Sequence, residues 1–218
     1  EMKTPLAGIK LLTDSILQTE NIDPATTREF VSDIGAEASR LERITEDLLR
    51  LTRLDSGAVE PAVCVAVKPV LERAARMLRP VAGQREVELT CRADEAAAVR
   101  ATEGDVHQIL YNLMENGVKY TAPGGVVHTS VSVEEGRVVI TVSDNGIGIP
   151  AEDMPHIFER FYRVDKARSR QIGGTGLGLS IVGDTVQRRG GEIGVAPREG
   201  GGTVFTVSFP QAEPEVTA

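Results

Sequence analysis

The sequence predicts an α+β protein in which a helical hairpin is followed by an α/β sandwich domain. Its first part shows apolar residues at the three- and four-residue spacing of amphipathic helices. Beyond it, helical segments alternate with short strands that we expect to be mostly antiparallel. A stretch containing Gly and Pro separates the two patterns. We therefore expect a hairpin at residues 1–56, a linker at 57–62, a second domain at 63–210 and a flexible tail at 211–218.

The first helix is predicted from residue 2 to residue 18. Its apolar face is formed by Leu6, Ile9, Leu12 and Ile16, which recur at intervals of three and four. Pro5 lies near the start, where its missing N–H and its ring favour either a helix start or a kink.

Asp23 and Pro24 predict the start of a second, longer helix, with Asp23 as the N-cap and Pro24 at the first helical position. A heptad-like seam follows, with charged residues outside it. A hairpin of this size cannot bury both seams alone, so we expect it to pair with a second copy into a four-helix bundle. The seam residues are Ile34, Leu41, Ile44, Leu48 and Leu51.

The second domain is predicted to interleave three helices with five strands. Residues 134–136 form the turn of one strand hairpin, and the glycines at 200–202 form the turn of another. Such interleaving is typical of an α/β sandwich. The helices are expected at 67–81, 105–119 and 177–189, and the strands at 87–91, 126–133, 137–143, 192–196 and 203–209.

Composition and charge limit the classes of function. The chain has 24 Lys and Arg against 32 Asp and Glu, and its net charge of −8 argues against a broad nucleic-acid-binding surface. Cys64 and Cys91 have neither the number nor the spacing of a disulfide framework or a zinc site. We expect both to be reduced thiols in a cytoplasmic compartment.

The chain is expected to be soluble as it stands. It has no apolar run of about 18 residues that would predict a membrane helix, and no secretory leader. Because it begins at Glu1 without an initiator Met, we expect that further sequence precedes it in the parent protein.

Four polar residues lie near one another on the helix predicted to end near residue 119. Asn112 and Asn116 are four apart, and Lys119 and Tyr120 follow Asn116 by three and four. Amide oxygens suit Mg²⁺, a lysine suits phosphate charge, and a tyrosine can stack on a base. An ordinary solvated helix face is the alternative, and it is favoured when this segment is considered alone.

Asp144 ends a predicted strand and is followed by Gly146 and Gly148, which allow the backbone to turn and to approach a ligand closely. A carboxylate at a strand end can accept a hydrogen bond from an exocyclic amine such as that of adenine. A plain Asp-Asn-Gly turn explains this segment equally well when it is considered alone.

Gly173, Gly174, Gly176 and Gly178 precede a predicted helix, whose free N-terminal amides could receive phosphates. A flexible loop is the alternative. A P-loop is excluded because no Gly-Lys-Ser/Thr occurs, and neither glycine cluster completes the Gly-x-Gly-x-x-Gly pattern. The lack of His-Arg-Asp and Asp-Phe-Gly excludes a eukaryotic-type protein kinase. The three segments together, in this order, predict an ATP site.

Five motifs in order make the chain resemble the bacterial sensor histidine kinases of two-component systems. The resemblance extends from residue 1 to about residue 210. It implies a dimerisation and phosphoacceptor hairpin followed by a catalytic domain with the Bergerat ATP-binding fold. The motifs are Glu-x-x-Thr-Pro-Leu from Glu1, Asn-Leu-x-x-Asn-x-x-Lys-Tyr from Asn112, Asp-x-Gly-x-Gly from Asp144, Ile-Phe-Glu-Arg-Phe-Tyr-Arg at 157–163 and Gly-Thr-Gly-Leu-Gly-Leu from Gly174.

The resemblance also implies roles for individual residues. Asn116 would coordinate Mg²⁺ with support from Asn112, while Asp144 would accept a hydrogen bond from the adenine amine. Residues 158–161 would anchor an ATP lid at 165–173, a polar stretch suited to gating. The full set of expected nucleotide-binding residues is Asn112, Asn116, Lys119, Tyr120, Asp144, Gly146, Gly148, Ile149, Phe161, Arg163, Gly174, Thr175, Gly176, Leu177 and Gly178, with Lys119 and Arg163 at the phosphates and Tyr120 beside the adenine.

By the same resemblance, the phosphoacceptor histidine lies immediately before Glu1 and is missing from these residues. Glu1 would assist as a base, and Thr4 would position water for dephosphorylating the partner response regulator. Asn112 stands where gyrase and the Hsp90 chaperones carry a glutamate that activates water. An amide cannot serve as that base, so the site is expected to hold ATP for transfer to histidine and to hydrolyse it poorly.

The expected function is transfer of the ATP γ-phosphate to that histidine and then to an aspartate of a response regulator. The kinase is expected to be a homodimer whose parent is anchored in the membrane by an upstream region. The alternative is a non-catalytic pseudokinase that binds ATP and acts as an interaction module. A serine kinase of the anti-sigma type is disfavoured because it would leave the hairpin motif unexplained.

Four residues depart from the family pattern or lie outside its motifs. His107, His128 and His156 are not on the hairpin, so they are expected to be structural or exposed and cannot easily replace the missing acceptor. Gly117 stands where the family usually has Ala, which weakens the helix by roughly 1 kcal/mol. Its small volume is expected to suit close packing against the sheet.

Overall fold

The helical hairpin has the predicted form. The computed structural model describes residues 3–19, 22–55, 60–164 and 175–212. Helix α1 spans Lys3–Gln18 and helix α2 spans Pro24–Asp55. The Oδ1 atom of Asp23 accepts the N–H groups of Ala25 and Thr26 at 2.9 and 3.0 Å, so the predicted N-cap of α2 is confirmed.

The two helices pack against each other as an antiparallel pair. Gly8 faces Glu37, since a Cβ placed on Gly8 would lie 3.8 Å from the Glu37 Cγ. Pro5, Arg40 and Ile44 are buried. Several large apolar side chains of the hairpin nevertheless remain exposed to solvent: Leu6, Leu11, Leu17, Val31 and Leu49.

The second part of the chain is an α/β sandwich, which confirms the predicted fold class. Its five-stranded sheet consists of β2 (Glu88–Ala93), β4 (Val126–Glu134), β5 (Arg137–Asp144), β6 (Glu192–Pro197) and β7 (Thr203–Pro210). The strand order is β2-β4-β5-β7-β6. Only the β2–β4 pair is parallel, and the other three pairs are antiparallel.

Three helices form the other layer: α3 (Val67–Gln84), α4 (Glu103–Tyr120) and α5 (Gly178–Arg188). The central helix α4 contributes apolar side chains such as Ile109, Leu110 and Leu113 to the core between the layers. Because burial of each such side chain contributes about 1.5–3 kcal/mol, this contact fixes the orientation of α4. Its remaining face is thereby directed away from the core.

The N-terminus of α4 is held in two ways. Thr102 and Asp105 form a capping box, in which the Thr102 hydroxyl accepts the Asp105 N–H at 3.1 Å. The Asp105 carboxylate also receives two guanidinium contacts from Arg189, at 2.8 and 2.7 Å. Since Arg189 follows the last residue of α5, this largely buried ion pair fastens the start of α4 to the end of α5.

Two features differ from the sequence prediction. β1 (Val63–Ala66) and β3 (Ala98–Ala101) form a separate antiparallel pair that was not predicted, because strands of four residues are too short for a clear alternation pattern. Gln211 and Ala212 were assigned to the flexible tail, but they are held in place. The Gln211 N–H donates to Gly136 at 2.9 Å and the Ala212 N–H donates to Ala98 at 2.8 Å.

Among the residues described, no helix combines the length and the apolar character needed to cross a membrane.

Gly117 lies where α4 approaches strand β4 most closely. A Cβ at this position would lie 2.9 and 3.2 Å from the two methyl carbons of Val127, which is fully buried. Neighbouring atoms cannot tolerate such an approach without moving. The glycine therefore permits the close contact between helix and sheet that the sequence suggested.

We predict that Gly117→Ala lowers the free energy of unfolding by about 1 kcal/mol. Overpacking against Val127 costs about 1–3 kcal/mol, which exceeds the roughly 1 kcal/mol gained in helix propensity. Denaturant unfolding of the chain measures the difference. In a Val127→Ala background the clash is absent, and Gly117→Ala should become stabilising. Gly83→Ala in α3, where the new methyl group meets open space, is the control and should not destabilise. A stabilising Gly117→Ala in the native background would contradict this account.

Candidate functional site

A cavity of about 630 Å³ opens between α4, the end of β5 and the start of α5. It brings together side chains from segments that are far apart in the sequence. Eleven of the predicted nucleotide-binding residues line it: Asn112, Asn116, Lys119, Tyr120, Asp144, Gly148, Ile149, Arg163, Thr175, Gly176 and Gly178.

Asp144 is the most deeply buried acidic group of this cavity, with 6% of its surface exposed. Its Oδ1 accepts the backbone N–H of Gly146 at 2.9 Å and that of Thr203 at 3.3 Å. Burial raises the pKa of Asp144, whereas the two N–H donors and the positive charge of Arg198 act in the opposite direction. With Oδ1 held by these backbone groups, Oδ2 is the oxygen that can accept from a ligand.

Two glycines allow the backbone to close around Asp144. A Cβ on Gly146 would lie 2.4 Å from the Tyr120 carbonyl oxygen. Gly202 has φ +102, and a Cβ there would lie 2.0 Å from the Asp144 carbonyl oxygen. The adjacent Ile147 N–H donates to the Tyr120 carbonyl at 3.2 Å, which ties the end of β5 to the end of α4. Any side chain at either glycine would force these segments apart.

The polar face of α4 forms one wall of the cavity. The Asn112 side-chain amide donates to the Gly178 carbonyl at 3.1 Å and so fixes the first residue of α5. Asn116 follows one turn later and also lines the cavity. The Lys119 ammonium is paired with Glu115 at 2.8 Å, and both side chains are mostly buried.

The backbone segments on either side of residues 165–174 contact each other. The Phe161 N–H donates to the Gly176 carbonyl at 2.9 Å. Both residues have positive φ, +65 and +73. A Cβ on Gly176 would lie 3.0 Å from the Phe161 backbone, so glycine is needed for this approach. The predicted lid, residues 165–173, lies outside the described residues.

The segment at residues 158–161, which precedes the predicted lid, is anchored on the rest of the domain. The Phe158 ring meets the Phe205 ring edge-on, with centroids 6.4 Å apart, and packs near Gly183. The Arg160 guanidinium contacts the Asp184 carboxylate at 3.2 Å. These contacts hold residues 158–161 against α5 and β7.

Helix α2 of the hairpin closes one side of the cavity. Arg43, Glu46 and Asp47 all contribute to its lining. The Thr175 hydroxyl donates to the Asp47 carboxylate at 3.0 Å. This wall could not be predicted from the sequence, because no local pattern relates α2 to the glycine-rich segment before α5.

Six predicted site residues do not line the cavity or are not described. Thr4 is exposed on α1, and Gly146 does not line the cavity but donates its backbone N–H to the Asp144 carboxylate. Phe161 contacts the backbone of Gly176, and Leu177 is fully buried beside Leu51 and Ile181. Glu1 and Gly174 lie outside the described residues.

Gly202 and Thr203 contact Asp144 but were not predicted as site residues. In the sequence they follow two further glycines and read only as a turn before a strand. The pairing of β5 with β7 sets Val204 opposite Ser143, which brings them to the end of β5. The Gly-Gly-Gly-Thr run therefore indicates a site segment only once it is known that β7 pairs with β5.

The residues present suit a purine nucleotide with its phosphates. Asp144 provides a buried acceptor for an amine, and Gly146 and Gly202 allow the neighbouring backbone to pack closely around this carboxylate. Gly176 and Gly178 leave backbone groups open near the N-terminus of α5. Within the described ranges, no group of three His, Cys, Asp or Glu side chains could hold a metal ion. The amide oxygens of the α4 face suit a Mg²⁺ ion that is bound mainly by phosphates and water.

Two family models match the chain in the order of its two parts. Residues 1–57 match the His Kinase A (phospho-acceptor) domain. Residues 101–213 match the histidine kinase-, DNA gyrase B- and HSP90-like ATPase family. The chain belongs to the sensor histidine kinases. In this kinase chain the cavity falls within the segment matched by the ATPase family, and only its α2 wall comes from the phospho-acceptor segment.

Named relatives agree with this assignment of the kinase chain. The sensor-like histidine kinase SenX3 of Mycolicibacterium smegmatis is 35% identical over 97% of the chain and 55% of its own length. Full-length ShkA, solved in complex with AMPPNP, is 29% identical with a TM-score of 0.73, over 96% of the chain and 43% of its own. ThkA, solved in complex with the response regulator protein TrrA, shares the fold at 22% identity and a TM-score of 0.77, over 97% of the chain and 59% of its own. The kinase chain spans about half the length of the curated relatives it matches.

The buried carboxylate of Asp144 is expected to lower the stability of this kinase chain at neutral pH. Because the pKa of Asp144 is raised in the folded state, the folded protein binds its proton more tightly than the unfolded chain does. The stability of the native protein therefore falls as pH rises through the raised pKa. We predict that Asp144→Asn increases the melting temperature at neutral pH. This gain should shrink as the pH is lowered towards 3.8, the ordinary value.

Thermal unfolding between pH 4 and pH 8, measured for both proteins without nucleotide, tests this prediction. Asp33→Asn on the exposed part of α2 removes one negative charge without changing a buried site, and it serves as the control. An Asp144→Asn protein that is less stable at neutral pH would contradict the prediction.

Proposed function

We propose that the chain is the catalytic portion of a sensor histidine kinase, which binds ATP with Mg²⁺ and transfers the γ-phosphate to a histidine of the hairpin. One observation carries this proposal. The buried carboxylate of Asp144, the amide face of α4 and the glycine-rich start of α5 all line one cavity. Each segment alone has an ordinary structural explanation, but their convergence in one cavity supports a nucleoside triphosphate as the ligand.

The adenine lies at the Asp144 end of the cavity. Oδ2 of Asp144 accepts a hydrogen bond from the exocyclic amine, because Oδ1 is already held by backbone N–H groups. Ile149 and Tyr120 provide the walls beside the ring. Gly148, with φ +73, lets the backbone turn away from the base.

The phosphates lie between α4 and α5. Asn116 provides an amide oxygen for Mg²⁺, which neutralises charge on the phosphate oxygens when it is bound. Gly176 and Gly178 leave the N-terminal end of α5 accessible to phosphate oxygens. Lys119 and Arg163 add positive charge to the same region.

Asn112 favours transfer of the phosphate over hydrolysis. Its amide group donates to the Gly178 carbonyl, a contact that a glutamate carboxylate cannot make because it has no proton to donate. An amide also cannot take a proton from water. Asn112 therefore stabilises the start of α5 and leaves the site without a base at this position.

The hairpin brings the acceptor end of α1 close to the cavity. Gly8 lies opposite Glu37, and the helices are antiparallel, so the first residues of α1 are level with the turn of α2 around Glu42 and Arg43. Arg43 is part of the cavity wall. An acceptor just before Glu1 is therefore within about one helical turn of the cavity along the hairpin axis.

In the proposed reaction, a neutral imidazole nitrogen of the acceptor histidine attacks the γ-phosphorus of ATP. The bond between that phosphorus and the bridging oxygen breaks, and ADP leaves with the electron pair. Glu1 assists by taking the remaining imidazole proton. The phosphate then passes to an aspartate of a response regulator, and Thr4, exposed on α1, positions water when the regulator is dephosphorylated.

The same proposal includes a homodimer and a membrane-anchored parent protein. The exposed apolar side chains of the hairpin, such as Leu6 and Leu17, are explained if a second hairpin covers them in a four-helix bundle. The match to a phospho-acceptor domain supports this arrangement. Sensor kinase relatives that are about twice as long support a parent protein with further domains. We place the present chain on the cytoplasmic side of the membrane in which that parent is anchored.

Restoring a histidine immediately before Glu1 tests the proposed reaction. With Mg-ATP labelled in the γ-phosphate, the extended chain should acquire a phosphate that is stable to base and labile to acid. The same extension carrying glutamine instead of histidine is the matched control and should remain unlabelled. Binding of ATP without labelling would favour a pseudokinase module instead.

Asp144→Asn should abolish nucleotide binding. The amide would present a donor to the adenine amine, and the loss of a charged hydrogen bond predicts a weakening of about 100-fold or more. Titration calorimetry with Mg-ATP measures the affinity, and Asp33→Asn serves as a control for the lost charge. An unchanged ATP affinity would show that Asp144 does not bind the adenine.

A further inference from the structure

Helix α2 docks on the catalytic domain beside the nucleotide cavity. Leu51 is 4% exposed and forms a buried cluster with Leu177 and Ile181, against which Leu48 also packs. Residues four apart share a helix face, so the contact made by Leu51 carries Asp47 to the mouth of the cavity. The apolar cluster and the polar contact at Thr175 thus form one continuous docking surface.

The Asp47 carboxylate accepts the hydrogen bond that the Thr175 hydroxyl donates. The Thr175 Oγ1 donates to Oδ2 of Asp47 at 3.0 Å and accepts the Leu177 N–H at 3.2 Å. A threonine hydroxyl has a single proton. While this proton is directed at Asp47, Thr175 cannot donate it to a phosphate oxygen.

The acidic residues of α2 near Thr175 also disfavour the binding of phosphates. Glu46 and Asp47 place two carboxylates in the cavity wall, against the single positive charge of Arg43. On the facing wall, Lys119 is paired with Glu115 at 2.8 Å, which reduces the positive charge that it offers to a phosphate. The wall formed by α2 therefore adds net negative charge to the phosphate end of the docked site, which opposes the positive charge that Arg163 provides there.

We infer that Asp47 and the phosphates of ATP compete for Thr175, so that docking of α2 and binding of ATP weaken each other. This inference rests on the proposed function, because it assumes that ATP occupies the cavity. The coupling is reciprocal, so ATP loosens the docked helix by the same factor by which docking lowers the affinity for ATP. Loading with ATP thereby favours release of the catalytic domain from α2.

Calorimetric titration of the 218-residue chain with Mg-ATP tests the competition. Asp47→Ala removes both the charge and the acceptor, and it should tighten ATP binding about tenfold, within the usual range of such couplings. Asp47→Asn keeps an acceptor for Thr175 but removes the charge, so it should give a smaller gain. The affinity for adenosine, which has no phosphate, should not change in either variant.

Two further variants separate competition from other effects. Leu51→Asp breaks the docking contact by a different route and should also tighten ATP binding, with little added gain in combination with Asp47→Ala. Asp33→Asn, an exposed carboxylate elsewhere on α2, is the matched control and should leave the affinity unchanged. If wild type binds ATP but Asp47→Ala leaves its affinity unchanged or weaker, the inference is wrong and the proposed function stands. If wild type does not bind ATP, both are wrong.

The reciprocal effect can be measured as a distance. Spin labels at Asp33 on α2 and Gln187 on α5, with Cys64 and Cys91 replaced by serine, report the separation of the two helices. Saturating Mg-ATP should shift the distance distribution to longer values, and adenosine should not. A distribution that does not change with Mg-ATP would overturn the proposed coupling.

Discussion

The close approach of the 200–202 turn to Asp144 is the constraint on which the catalytic domain depends. Pairing of β5 with β7 brings the Thr203 N–H to 3.3 Å from the carboxylate, and the backbone at Gly202 leaves no room for a Cβ. The sheet therefore holds the carboxylate in a fixed direction, at the cost of burying its charge. A ligand finds this acceptor already oriented, so little ordering is needed when it binds.

Helix α4 links that carboxylate to the rest of the site. Its apolar face is buried against the sheet, and Gly117 allows it to lie unusually close to Val127. The same packing turns Asn112 and Asn116 towards the cavity and sets the Tyr120 carbonyl against Gly146. The core and the site are thus two faces of one helix, which is why a change in core packing can alter the position of the amides.

Much of this arrangement could be predicted from the sequence, because it follows from local patterns. Asp23 and Pro24 marked a helix start, and the 134–136 turn marked a strand hairpin, both close to where the structure has them. Thr203 and Asp47 could not be assigned, because their partners Asp144 and Thr175 are 59 and 128 residues away in the sequence. Only strand pairing and the docking of α2 bring these groups together, and neither leaves a local pattern.

Helix α5 is fastened to α4 at both of its own ends. Arg189 grips Asp105 at one end, and Asn112 holds the Gly178 carbonyl at the other. Two separated attachments oppose rotation and sliding of α5 against α4, so the two helices are held as one unit. A displacement of Leu177 by its contact with Leu51 of the hairpin would therefore shift the Gly178 carbonyl and, through it, the Asn112 amide on α4.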